Sequence, residues 1–205
     1  MTETDSDLHR RLLGVEANSR LTGLLGAVLL VGLFVEGISV LDVRGLLSWH
    51  VAVGLFVIPA IFAKIGSTSF RAFHYYRGTE AYRRKGPPHP ILRIAGPLVI
   101  LSTISMFTFG IVTLAAGPTH REPWLTLHQG SFIVWFAVTA VHVLGHVIET
   151  WQLARDEATN RPPIPKRGVR VAVVVCSLLV GLVVGLWSLK WTGQWDHFKG
   201  HLGDG

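Results

Sequence analysis

Three histidines, His128, His142 and His146, stand in one apolar run, LTLHQGSFIVWFAVTAVHVLGHVIETW, residues 125–151. A neutral imidazole is the commonest side-chain ligand of transition metals. At about 100° per residue, the 14-residue step from His128 to His142 returns almost to the starting helix face, and the 18-residue step to His146 closes fully. The three rings therefore share one stripe, with His142 about 21 Å further along the helix than His128. The run is long enough to cross a bilayer, and ionisable side chains inside a span usually face the interior of a bundle. Three polar side chains hydrogen-bonded across a helix packing is the bland alternative; the regular spacing favours a site.

A second run repeats the spacing. SWHVAVGLFVIPAIFAKIG carries His50 at its start and Lys64 fourteen residues on. If both runs enter the membrane from the same side, His50 and His128 lie at one depth, and Lys64 and His142 at another about 21 Å away. Two imidazoles on two helices at one depth are what a haem iron needs for axial ligation, and bundle interiors are the usual place for such sites. His50, His128 and His142 are thus the candidate metal ligands, with His146 a second choice at the deeper level. Gly23 and Gly37 on the run before, and Gly96 and Gly110 on the run between, are also fourteen apart. Glycine lets a backbone approach a flat ligand closely, although the chain holds 22 glycines and packing explains such pairs too.

These residues need long helices to hold them. Of the 205 residues 49% are hydrophobic and 16% charged, and the apolar ones gather into five blocks at about 21–41, 47–67, 91–116, 129–151 and 170–191. Each block is near or above the roughly 20 residues that cross hydrocarbon, and only helices or closed barrels satisfy their own backbone there. No barrel-like alternation appears. The expected fold is all-α, an integral membrane helical bundle of five transmembrane helices with a four-helix haem-binding core. Residues 1–20 read as a polar, mobile cytoplasmic arm and 21–151 as the core. Residues 152–169 read as a cytoplasmic loop, 170–191 as the fifth transmembrane helix, and 192–205 as an extracytoplasmic tail. The first block is preceded by a polar segment with no cleavage pattern and reads as a retained helix, not a signal peptide.

The net charge of +6 does not point to nucleic acid, because the basic residues gather in alternate loops. Fourteen of the 19 Lys and Arg fall in the N-terminal arm and the second and fourth connections, and four fall on the other side. By the positive-inside rule the N-terminus lies inside and the C-terminus outside a plasma membrane. Pro59 within the second block is expected to bend it, and Gly181 and Gly185 in the fifth suit close helix packing. The single cysteine, Cys176, excludes an internal disulfide and any cysteine-built metal cluster within the chain.

Paired glycines on the first and third helices, with ligands fourteen apart on the second and fourth, resemble the four-helix diheme core of the cytochrome b and b6 (b561-like) superfamily. The stretch SWHVAVGLFVIPAIFAKIGSTSFRAFHYYRG is similar to actinobacterial members of that type. The resemblance covers roughly residues 20–151 and leaves the fifth span outside. It implies a b-type cytochrome carrying electrons between quinone and a partner oxidoreductase, in some cases a molybdopterin enzyme. One departure stands out: Lys64 occupies the place of a family histidine. The resemblance thus implies one haem b between His50 and His128, and leaves a second open. Lys64 reads either as an unusual amine ligand or, preferably, as a cation snorkelling to lipid phosphates.

Other residues are weaker candidates. Arg44 and Arg121 flank the His50 level and are suited to haem propionates, or are ordinary loop charges. Glu36 reads as a helix-end carboxylate in the interface, with a proton path as the lesser alternative. His197 and His201 stand at metal-compatible i, i+4 spacing without further ligands. No nucleophile–base pair or phosphate loop appears, so the chain reads as an electron-transfer subunit and not as an enzyme by itself. Membrane lipid is one partner; quinone, a redox protein and a second copy of the chain are the others. The competing readings are a metal-handling transporter and a structural anchor subunit.

Overall fold

A computed structural model of the chain describes residues 3–86 and 89–201, with side chains for 6–86 and 89–195. Pro87, Pro88, the last four residues and the side chains of His197 and His201 lie outside the described residues. The described chain is helical: α1 (Glu3–Leu41), α2 (Leu47–Tyr76), α3 (Glu80–Arg84), α4 (Pro90–Ala116), α5 (Trp124–Thr159) and α6 (Arg167–His201). All but α3 are long and apolar enough to cross a membrane. Large apolar side chains such as Phe34, Leu41, Ile133, Leu144 and Val183 are two-thirds or more exposed. Such exposure marks an aggregation hazard in water and is the favourable arrangement in lipid, where the backbone is satisfied within each helix. The chain is a multi-pass helical membrane protein.

Helix ends follow local chemistry. Pro90 opens α4, where its missing N–H costs nothing. Asn160 ends α5 in the left-handed conformation, its backbone N–H donating to Glu157 O and that of Arg161 to Asp156 O, a cap that Asn tolerates better than most residues. Arg167 reinforces this end by donating to the carbonyls of Glu157 and Ala158. The helix α2 runs on through Pro59, which leaves the Leu55 carbonyl without its usual helical donor.

Helix α1 lies between α2 and α5. Helix α4 packs on the far side of α5, and α6 on the far side of α2. The arc closes where Gln194 of α6 donates to Leu114 O of α4, at 3.2 Å. Helices α2 and α4 do not pack closely. An apolar cleft of about 150 Å³ opens between them, lined by Ile58, Phe62, Ile65, Ile104, Phe107 and Ile111 among others. The buried core gathers Leu25 and Leu29 of α1, Val57 and Ala60 of α2 and Val174 of α6. The fifth spanning helix therefore belongs to the core and is not an appendage. Gly181 and Gly185 make this possible: a Cβ at Gly181 would run into Phe56 O, and one at Gly185 would stand 2.7 Å from Ala52 O.

Residues 3–20, expected as a polar arm, continue α1 as regular helix, and Asn18 and Arg20 are held by neighbouring helices. Asn18 donates to Ser67 O and accepts from Ser67 Oγ. Arg20, fully buried, donates to Asp156 O at 3.2 Å. Across the same end of the bundle, Arg170 grips Glu157 through two bonds of 3.0 and 2.9 Å. Both partners are buried, tying α6 to α5.

Candidate functional site

The short connection after α1 turns the chain straight back into α2, so the end of one helix faces the start of the next. Residues 36 and 39 of α1 thereby meet residue 50 of α2. His50 Nδ1 lies 2.8 Å from Glu36 Oε1 and 3.1 Å from Ser39 Oγ. Ser39 is itself anchored, its hydroxyl donating to Glu36 O at 2.6 Å. Across the bundle, His128 Nδ1 lies 2.9 Å from Met106 O of α4. A carboxylate and a carbonyl only accept, so each Nδ1 is the donor, and in a neutral ring Nε2 would keep its lone pair. The two rings come together as the spacing argument requires: their centroids are 6.2 Å apart and their planes cross at 71°. Both rings are partly sheltered: His50 is 22% exposed at the side chain and His128 is half-buried.

Gly110 gives the His128 ring its place. A Cβ there would stand 2.9 Å from Cε1 and 3.0 Å from Nδ1 of that ring. The other three glycines do different things. Gly23 sits against Leu153 and lets α5 close on α1, whereas a Cβ at Gly37 or Gly96 would meet open space. Arg44 is exposed in the connection beside the His50 end. Arg121 donates to Pro118 O within its own loop, at 3.0 Å.

The deeper level is built differently. His142 and His146 are neighbours on α5, with centroids 4.9 Å apart, and His146 Nδ1 lies 3.3 Å from Glu149 Oε2. His142 Nδ1 is buried without a hydrogen-bond partner. Lys64 does not turn outward to the interface as expected. Its ammonium enters the bundle, donates to Thr22 O at 3.1 Å and lies 2.8 Å from the Cβ position of Gly26. Among the described residues no imidazole stands opposite His142 on another helix, and none forms a cluster of three or more His, Cys, Asp or Glu able to hold a metal ion. Lys85, just past α3, closes this end by donating to Ser19 Oγ. Burial first, then the Arg71 guanidinium, lowers its pKa against the opposing pull of Glu16 and Glu149.

Sequence reasoning placed His50 and His128 together and missed the partners of their outer nitrogens. Glu36 was legible as a candidate only through its position one helical turn from the α1–α2 turn. Trp135 donates to Thr103 Oγ1 at 2.9 Å and ties α5 to α4. Comparison with protein-family models, with curated proteins and with solved structures finds no match to this chain.

Proposed function

We propose that the chain is a transmembrane b-type cytochrome, with His50 and His128 as the axial ligands of one haem. The observation that carries this reading is the geometry of the two rings. Two imidazoles binding one metal ion from either side, with bonds of about 2.0–2.1 Å, would need ring centres about 6 Å apart. The centroids here are 6.2 Å apart. The donor set fits as well, since the outer nitrogen of each ring is occupied by an acceptor that fixes its tautomer and orientation.

A haem held there would supply one-electron chemistry at its iron. The protein's own residues do the rest. His50 and His128 present neutral Nε2 lone pairs from two helices. Glu36 and Met106 O hold the Nδ1 protons. Gly110 leaves room for the His128 ring. Because the residues at the deeper level offer no opposed imidazole, the proposal is for a single haem.

The charge asymmetry supports an N-terminus inside and the His50 level near the outer face of the plasma membrane. In this reading the chain passes electrons between membrane quinone and a partner oxidoreductase. The test is the reduced-minus-oxidised absorbance spectrum of the purified protein and its variants. A b-type band that is lost in His50→Ala and His128→Ala and kept in His142→Ala and His146→Ala supports the proposal. A band that survives both of the first two substitutions overturns the ligand assignment.

A further inference from the structure

The two axial candidates are held by unlike partners. His128 gives its Nδ1 proton to a neutral backbone carbonyl, whereas His50 gives its own to the Glu36 carboxylate at 2.8 Å. Glu36 is itself sheltered, with 15% of its side chain exposed, and its other oxygen, Oε2, is buried without a hydrogen-bond partner. The short α1–α2 connection fixes this pairing, and Ser39 Oγ, 3.1 Å from the same nitrogen, steadies the ring. Gly54 on α2 lies beside the carboxylate, where a Cβ would make ordinary contact with Oε1 at 3.4 Å.

We propose that Glu36 is the positioning residue that sets the redox potential of the His50–His128 site, by loading negative charge onto one axial ligand only. This rests on the haem reading above. A carboxylate bonded to the far nitrogen of a ligating imidazole raises the basicity of the ligand. Hydrogen bonding around the ligands is one of the levers by which a protein moves a haem potential. A more basic ligand favours the ferric iron, which carries one more positive charge, and so lowers the potential. A neutral partner at the same place leaves the ring in position and removes that bias.

The experiment is a spectroelectrochemical titration of the full-length protein in detergent at fixed pH, with low-spin EPR of the ferric state as a second readout. Glu36→Gln keeps an acceptor oxygen within reach of His50 Nδ1 but no charge. At the ambient potential where wild type is half reduced, this variant is expected to show a ferrous-to-ferric ratio about tenfold higher, a midpoint raised by about 59 mV, with shifted g-values. Glu36→Asp retracts the carboxylate by one methylene and is expected to fall between the two. A Gln midpoint within a twofold ratio of wild type overturns the proposal. Should the Gln variant fail to accumulate, an Asp midpoint and g-values identical to wild type overturn it instead. A colourless wild-type protein would sink the haem reading itself, whereas a coloured one with an unmoved midpoint sinks only the role of Glu36.

Discussion

The Lys64 ammonium lies over Gly26 of the neighbouring helix, 2.8 Å from where a Cβ on that glycine would stand, and donates to Thr22 O at 3.1 Å. A lysine bonded in this way is a cross-brace between α1 and α2. As an ammonium it has no lone pair to offer a metal opposite His142. Lys64→Met, an unbranched side chain one atom shorter that removes the bond, is therefore expected to leave the pigment per chain unchanged. It should cost about 0.5–1.5 kcal/mol of stability, the net worth of one hydrogen bond. The absorbance-to-protein ratio and a thermal unfolding curve in detergent check both halves.

The close approach of Gly110 to the His128 ring makes a graded prediction. In Gly110→Ala the ring must give by a few tenths of an ångström, and pigment should fall in part. Gly110→Leu fills the ring's place and should abolish the pigment while the helical circular dichroism persists. Equal pigment in the Leu variant and wild type would remove Gly110 from the site.

Helix α6 comes closest to α2 where Gly181 and Gly185 let the two backbones approach. Gly181→Leu pushes a side chain into Phe56 O and should destabilise the protein by about 1–3 kcal/mol, the usual cost of overpacking. Because Val174 of α6 shares the core with Leu25 and Val57, the loss should appear as a lowered unfolding midpoint of the whole chain. An early, separate melting of one helix would contradict the placement of α6 in the core.

The Arg170–Glu157 pair is buried and doubly bonded. Removing one partner leaves the other charge stranded, so Glu157→Ala should cost about 3–5 kcal/mol. Replacing both, with Arg170→Met and Glu157→Leu, should recover most of that loss. Unfolding midpoints of the single and double variants decide it.

Much of this architecture was legible in the sequence because lipid imposes long apolar runs, and five of them stand out. The meeting of His50 and His128 was legible for a similar reason: a straight helix converts residue number into depth. What the pattern hides is direction and reach. Nothing in a polar N-terminal stretch says that Asn18 and Arg20 turn inward and find Ser67 and Asp156. The same spacing gave Gly23 and Gly110 one expected role, yet one glycine admits a leucine and the other an imidazole. Long side chains are the hardest to place, since Lys64 can snorkel out or brace inward from one backbone position, and only the hole left by Gly26 decides between them. Glu36 was hidden because its partner depends on the angle of a turn.

The central claim is that two helices present one imidazole each to one haem. The direct measurement is a pyridine haemochrome assay on the purified full-length protein, expressed with haem available, against a quantitative protein determination. One haem b per chain is the predicted result. A colourless protein, or a second haem retained in stoichiometric amount, would contradict the account.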